Sequence, residues 1–186
     1  MRIISGNFKG KKLNLPKDKN TRPLKDIVKE SIFNLIQHSK KIKINIKNSS
    51  VLDLFSGSGS FGIECLSREA KKVTFLENYP KTLKVLEKNI RSLKEIENYE
   101  IIEKDCFDFV QLNKKIDLKF DIIFVDPPYQ ELKVNEVIEK VIDQNFLNKK
   151  GIMIIHRHKK DKLELSKKIN IFEERYYGIS KIIFCN

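Results

Sequence analysis

Apolar positions along this chain follow two different periods, and the pattern changes near Ser50. From there on, short and mostly apolar runs occupy 51–55, 72–76, 99–102, 120–125 and 151–155. Runs of that length, rich in β-branched and aromatic residues, predict strands buried on both faces. Between them apolar residues recur every three or four positions. This spacing predicts helices over 61–68, from Pro80 through Leu93, over 107–112 and over 134–142. Residues 161–168 also read as helical. The chain closes on an antiparallel pair, 169–177 and 180–185, with Gly178 in the turn. Strand alternating with helix implies a mainly parallel sheet carrying helices on both faces.

Before Ser50 the pattern is different. Residues 2–5 and 11–15 flank a turn over 6–10, which predicts a small hairpin with Leu13 and Leu15 alternating with polar neighbours. Pro23 then opens an amphipathic helix. Ile27, Val28, Ser31, Ile32, Leu35 and Ile36 make its apolar face, with Lys25, Asp26, Lys29 and Glu30 opposite. Residues 40–48 read as a polar, basic connection. The division expected is a hairpin-and-helix extension over 1–45 and one domain over 46–186. A chain of 186 residues, 40% of them apolar, can build a single sizeable core.

Charge adds a partner class. The net charge is +12, which favours a polyanion. Of the 37 basic residues six are Arg and 31 are Lys, and Lys and Ile are abundant throughout, so charge alone adds modestly. Lys9, Lys11, Lys12, Lys17 and Lys19 cluster in and after the hairpin, just before Thr21-Arg22-Pro23, and an RNA-contacting surface is weighed there against an ordinary solvated face. Cys65, Cys106 and Cys185 are few, odd in number and far apart, so neither a metal knuckle nor a disulfide framework is implied and a reducing cytoplasm is the simplest setting. Cys65 and Cys185 read as core, and His38 as a surface residue. No apolar run reaches membrane-spanning length, and the N-terminus lacks the apolar region of a signal peptide.

Two motifs carry chemistry. Asp126-Pro127-Pro128-Tyr129 directly follows the fourth apolar run. Two prolines cannot continue a sheet, so a stiff loop must form at the carboxyl end of that strand, where open α/β sheets bind ligands. A carboxylate, carbonyls and an aromatic ring there suit a flat base with an exocyclic amine. Gly57-Ser58-Gly59-Ser60-Phe61-Gly62 follows the first strand and opens a helix. Glu77 ends the next strand, where an acid can grip ribose hydroxyls. Asp53, inside the first strand ahead of Phe55, would repel a pyrophosphate but attract an ammonium. That disfavours a nicotinamide cofactor. Asp105 and Cys106 end the third strand, where they can hold an adenine. An ammonium, a ribose and an adenine without phosphates describe S-adenosylmethionine.

These residues, with Ser56 and Ser58, resemble class I methyltransferases that modify exocyclic amines of bases. Arg2-Ile3-Ile4-Ser5-Gly6, Lys12-Leu13, Thr21-Arg22-Pro23, Lys29-Glu30-Ser31 and the closing Tyr177-Gly178 are similar, more specifically, to the bacterial 16S ribosomal RNA guanine-N2 methyltransferases. The resemblance implies a Rossmann-like fold with a mainly parallel seven-stranded sheet, a closing antiparallel strand and the N-terminal hairpin/helix extension. It implies cofactor roles for Asp53, Phe55, Gly57, Gly59, Glu77, Asp105 and Cys106. It assigns catalysis to Asp126, Pro127, Pro128 and Tyr129, with 16S RNA or the small-subunit particle as partner, no metal, no membrane and a monomer. Lys9, Lys11, Lys12, Arg22 and Arg157 are the expected RNA contacts, and Arg22 has a competing role at the cofactor's carboxylate. An adenine-N6 methyltransferase and an inert nucleic-acid-binding module are the rivals. One departure stands out: after the fifth strand the family often carries acids, where this chain has His156-Arg157-His158. The third ligand of a metal site is missing there, and a rim contact to RNA phosphate is expected instead.

Overall fold

In the computed structural model of the chain, residues 1–17, 23–112, 118–128, 131, 133–161 and 163–186 are described. A single sheet is built from β1 (Ser50–Leu54), β2 (Lys72–Leu76), β3 (Tyr99–Ile102), β4 (Phe120–Val125), β5 (Leu147–His158), β6 (Ile171–Tyr177) and β7 (Ser180–Cys185). Their order is β3-β2-β1-β4-β5-β7-β6. The first five strands run parallel. β7 lies antiparallel between β5 and β6. The helices are α1 (Asp26–His38), α2 (Ser60–Ser67), α3 (Pro80–Arg91), α4 (Cys106–Leu112) and α5 (Val134–Asp143).

Both faces of the central strands are covered, which is why their sequences run apolar without strict alternation. Val51 of β1 and Phe124 of β4 face a cluster with Ile32 and Phe33 of α1, Phe61 and Ile63 of α2, and Leu86 and Ile90 of α3. Leu52, Leu54, Ile123 and Val125 face the opposite cluster, with Phe109 of α4 and Val137 and Val141 of α5. Phe61 stacks at 5.1 Å on Phe33 and at 4.1 Å on Phe124, joining α1 and α2 to the sheet. Cys65 and Cys185 are buried and His38 is exposed. No helix among the described residues is long and apolar enough to cross a membrane.

The N-terminal segment is a clasp with one antiparallel bridge, Arg2 to Lys12. The Ile3 amide donates to the Lys11 carbonyl and the Gly10 amide to the Ile3 carbonyl, each at 2.9 Å. Ile3 and Leu13 are buried in the α1–α2 cluster, whereas Leu15 is exposed, so the predicted alternation ends at Leu13.

α1 corrects the sequence reading twice. It begins at Asp26, and Ile27 is 65% exposed while Lys29 is 0% exposed. The clasp is the reason, because it lies over the side of α1 that a helical wheel assigns to solvent. The Lys29 ammonium donates to the Arg2 carbonyl at 2.7 Å and to Ser60 Oγ at 3.3 Å, and sits 3.7 Å from Glu64 Oε2. Burial pushes the Lys29 pKa down, and Glu64 opposes that shift. Glu64, also buried, accepts the Ile4 and Ser5 amides at 2.8 and 2.9 Å and Arg68 Nε at 2.9 Å. Buried ions are tolerated when charge and hydrogen bonds are matched, as they are here.

Two further expectations change. Residues 163–166 are irregular rather than helical; Leu163 and Leu165, two apart, lean on the α4–α5 cluster. β5 runs from Leu147 to His158, well past 151–155, because β7 pairs with its second half. Within the polar, basic connection over 40–48, Ile42 and Ile46 are buried.

Candidate active site

Strand order reverses between β1 and β4, and a cavity of about 580 Å³ opens at their carboxyl ends. Ligands of open α/β sheets bind at such switch points, and the volume suits a nucleoside-sized molecule. Asp53, Phe55, Gly57, Glu77, Asp105 and Cys106 line it together with Asp126, Pro127 and Pro128. The two motifs, about seventy residues apart in the chain, therefore bound one space.

The loop after β1 is shaped by backbone geometry. Phe55, Gly57 and Gly59 all have positive φ, at 58°, 57° and 83°. Ser56 ties β1 to β2: its hydroxyl donates to the Asp53 carbonyl at 2.6 Å and accepts the Leu76 amide at 2.9 Å. Gly59 stands behind the cavity lining rather than in it. A Cβ at this position would run into Leu86 and Ile63. Gly59 therefore shapes the turn that opens α2 rather than the cavity wall.

The carboxylates hold this loop and its neighbours through backbone amides. Glu77 Oε2 accepts the Gly57 amide at 2.7 Å, and its Oε1 accepts the amides of Asn78 and Tyr79 at 3.0 and 2.8 Å. Asp105 caps α4, with Oδ1 accepting the Phe107 amide at 2.8 Å and Oδ2 accepting Asn78 Nδ2 at 2.9 Å. Burial pushes the Cys106 thiol far up, so it is a neutral wall of the cavity and no nucleophile. Asp53 is 1% exposed, and its Oδ2 accepts the Gly62 amide at 2.9 Å. Burial pushes the Asp53 pKa well up; the Gly62 bond opposes this, and the nearby Asp126 and Glu77 carboxylates add to it.

Asp126 begins the loop after β4, and this is where the sequence reading of β5 fails. His156 is 2% exposed. Its Nδ1 lies 2.8 Å from Asp126 Oδ1 and its Nε2 lies 2.9 Å from Ser180 Oγ on β7. A rim contact between His156 and RNA phosphate does not fit a buried ring with both nitrogens engaged. Arg157 is 4% exposed, so its expected RNA contact is likewise replaced by an internal one. Its guanidinium donates to the Pro128 carbonyl at 3.2 Å and the Glu131 carbonyl at 3.1 Å, and Nε pairs with Asp161 at 2.9 Å. The Glu131 amide also donates to the Pro128 carbonyl at 2.9 Å. Neighbouring residues of β5 thus hold the loop, one by the Asp126 side chain and one by the backbone beyond it. The tripeptide His156-Arg157-His158 was the visible signal, but the pairing of β5 with both β4 and β7 was needed to interpret it.

Of the predicted RNA contacts, Lys9 and Lys12 are exposed, and the half-buried Lys11 donates to the Ser92 carbonyl beyond α3. Arg22 and Tyr129 lie outside the described residues. No group of three or more metal-ligating side chains gathers among the described residues.

A parallel sheet closed by an antiparallel β7, with a glycine loop after β1 and an acid-proline-proline loop after β4 sharing one cavity, defines the α/β methyltransferase class. Residues 1–186 match the family model described as "Conserved hypothetical protein 95", and the chain belongs to that family. It is 34% identical over 180 residues to the Ribosomal RNA small subunit methyltransferase D of Haemophilus influenzae, covering 96% of this chain and 90% of that one. Among solved structures, a candidate methyltransferase from Escherichia coli superposes with a TM-score of 0.84 at 26% identity, over 100% of this chain and 96% of the other. A candidate methyltransferase complexed with SAH shares the fold, with a TM-score of 0.62 at 17% identity, over 84% of this chain and 48% of the other.

Proposed function

We propose that this chain transfers a methyl group from S-adenosylmethionine to the exocyclic N2 amine of a guanine in 16S ribosomal RNA. The observation that carries the reading is that Asp53, Glu77 and Asp105 line the same cavity as Asp126 and Pro127. The small-subunit ribosomal RNA methyltransferase relative supports the substrate, and the SAH-complexed neighbour supports the cofactor.

The donor set fits the cofactor. Asp53, Glu77 and Asp126 crowd negative charge around one space: burial raises the pKa of Asp53, and the Asp126 and Glu77 carboxylates add to the rise. A cationic ligand relieves that crowding, whereas a pyrophosphate would add to it. Asp53 would face the ammonium, Glu77 the ribose, and Asp105 with the Cys106 backbone the adenine, all around the turn made by Phe55, Gly57 and Gly59. Bound S-adenosylmethionine supplies a methyl group made electrophilic by its sulfonium.

The chain's own task is positioning. The exocyclic amine is a poor nucleophile because its lone pair is delocalised into the ring. Asp126 and the Pro127 carbonyl accept its two N–H groups, favour a pyramidal nitrogen and aim the lone pair into the cavity. Alignment of this kind is worth roughly 7–11 kcal/mol in well-oriented systems. Methylation releases one proton from the nitrogen, so Asp126 has only to hold the amine, not to deprotonate it first. Pro128 stiffens the turn, and Tyr129, by the resemblance, stacks on the base for about 1–3 kcal/mol. The target guanine is turned out of its helix or already unpaired. Residues 1–45 form the RNA-contacting extension, with Lys9, Lys11 and Lys12 near phosphates, while Arg22 serves either RNA or the cofactor's carboxylate.

The test is incubation of the protein and tritiated S-adenosylmethionine with small-subunit particles, naked 16S RNA and DNA, followed by nucleoside digestion. Label in N2-methylguanosine from RNA is the expected result. Label in N6-methyladenosine, or none despite intact RNA binding, would overturn the proposal.

A further inference from the structure

We infer that His156 is a positioning residue for the transfer: it fixes the Asp126 carboxylate at the angle from which the target amine is held, and Ser180 anchors it from behind. The inference rests on the reading of Asp126 given above.

The geometry is a three-residue chain across three strands. Asp126 follows β4, His156 lies on β5 next in register to the Val125–Ile155 pair, and Ser180 opens β7. The two contacts, 2.8 Å to Asp126 Oδ1 and 2.9 Å to Ser180 Oγ, engage both ring nitrogens of an imidazole that is almost wholly buried. An ionised carboxylate is an acceptor only, so the bond to Asp126 is donated by Nδ1–H, while the Ser180 hydroxyl, both donor and acceptor, can satisfy Nε2. The ring cannot rotate without breaking both bonds in a place water does not reach. Ser180 is itself buried on a strand that pairs along β5 from Met153 to His158, so the anchor is rigid.

The consequence falls on the other oxygen. Asp126 Oδ2 accepts no hydrogen bond from the described residues, and Asp126 lines the cavity. With Oδ1 pinned, the carboxylate plane is fixed and Oδ2 is the atom presented to a ligand. A carboxylate tethered only through its own side-chain torsions would sample several orientations, few of which hold an amine in line for transfer. Misplacement of a reacting partner by about 1 Å can cost about a hundredfold in rate. The contact is therefore expected to act on turnover and not on cofactor affinity, because the hydrogen bonds that orient Asp53, Glu77 and Asp105, which would grip the cofactor, run to Gly62, to Gly57, Asn78 and Tyr79, and to Phe107 and Asn78.

The two amide variants separate positioning from packing. In His156→Asn the side-chain NH2 lies near the place of Nδ1 and keeps the bond to Asp126. In His156→Gln the amide reaches the place of Nε2 and keeps Ser180 instead. Wild type, both variants, Ser180→Ala and Asp126→Ala are assayed with tritiated S-adenosylmethionine and unmethylated small-subunit particles, with cofactor Kd measured by calorimetry. His156→Asn is expected within about threefold of the wild-type kcat, and His156→Gln about 10- to 100-fold below it, with KM and cofactor Kd unchanged. Ser180→Ala should fall between them. Equal losses in Asn and Gln, a Gln variant better than Asn, or wild-type turnover in both while Asp126→Ala is inactive would each overturn the inference. Wild-type turnover in Asp126→Ala would overturn the function reading itself, so the two failures are distinct.

Discussion

Asp53→Asn should make the ligand-free protein more stable at neutral pH and its cofactor complex weaker. Asp53 is 1% exposed, and its carboxylate accepts the Gly62 amide at 2.9 Å. Burial, with Asp126 and Glu77 nearby, pushes its pKa well above the ordinary 3.8. A group whose folded pKa lies above its unfolded one binds its proton more tightly when folded. Its contribution to stability is therefore complete below about pH 4 and is lost as pH rises through the folded pKa. Ionising this buried side chain as pH rises through the folded pKa therefore destabilises the folded protein. Asparagine keeps an oxygen for the Gly62 N–H and never ionises. Each kcal/mol so relieved raises Tm by about 2–4 °C in a chain of this size. The gain should shrink toward pH 4, where the wild-type acid is already protonated. The ammonium of the cofactor meets a carboxylate in the wild type and a neutral amide in the variant. A hydrogen bond to a charged group contributes about 1.5–3 kcal/mol, so affinity should fall about 10- to 150-fold. Calorimetric melts at pH 4, 5.5 and 7, and titration with S-adenosylmethionine at pH 7, read both effects. A variant that melts below wild type at pH 7 and binds the cofactor equally well would refute the reasoning.

Glu64→Ala leaves the Lys29 ammonium buried without its counter-ion and frees the Ile4 and Ser5 amides. The expected cost is about 3–5 kcal/mol, with hydrogen-exchange protection lost first at those two amides; uniform loss across the sheet would refute the clasp's dependence on Glu64. Gly59→Ala forces a Cβ at φ +83° toward Leu86. Urea melts should show a loss of about 1–3 kcal/mol, and an unchanged midpoint would contradict the strain argument. Exposed Lys9 and Lys12, changed together to Ala, should flatten the dependence of log K for 16S RNA on log salt by about 2. An identical slope would remove them from the RNA surface.

The strands and most helix positions were legible because a parallel sheet leaves a local mark: both faces buried, hence short apolar runs between turn signals. The cavity was legible because both of its motifs sit where strands end. What the sequence hid depended on contacts between distant segments. Lys29 looks like solvent-facing charge on a helical wheel, and only the clasp folding back over α1 makes it internal. Leu163 and Leu165 fit a helix no better than an extended segment draped on a cluster, and their spacing of two was the better guide. His156 and Arg157 looked like surface charge because the pairing of β5 with β7, which carries the strand on to His158, cannot be read from β5 alone.

The arrangement also reconciles two charges that look opposed. The chain carries a net charge of +12, yet the candidate site collects Asp53, Glu77, Asp105 and Asp126. Charges on the solvent-exposed surface are screened beyond about 8–10 Å at physiological salt, while those inside a partly enclosed cavity are screened much less. A polyanion approaching from outside therefore meets the lysines first, and the cavity's own field governs only what enters it. That field admits a sulfonium with its ammonium and resists a phosphate. On the proposed function, a single neutral nucleobase would meet Asp126 while its phosphates stay with the exposed lysines. On that function, separating the two fields would let one small domain take a cation and a polyanion without either competing for the other's site.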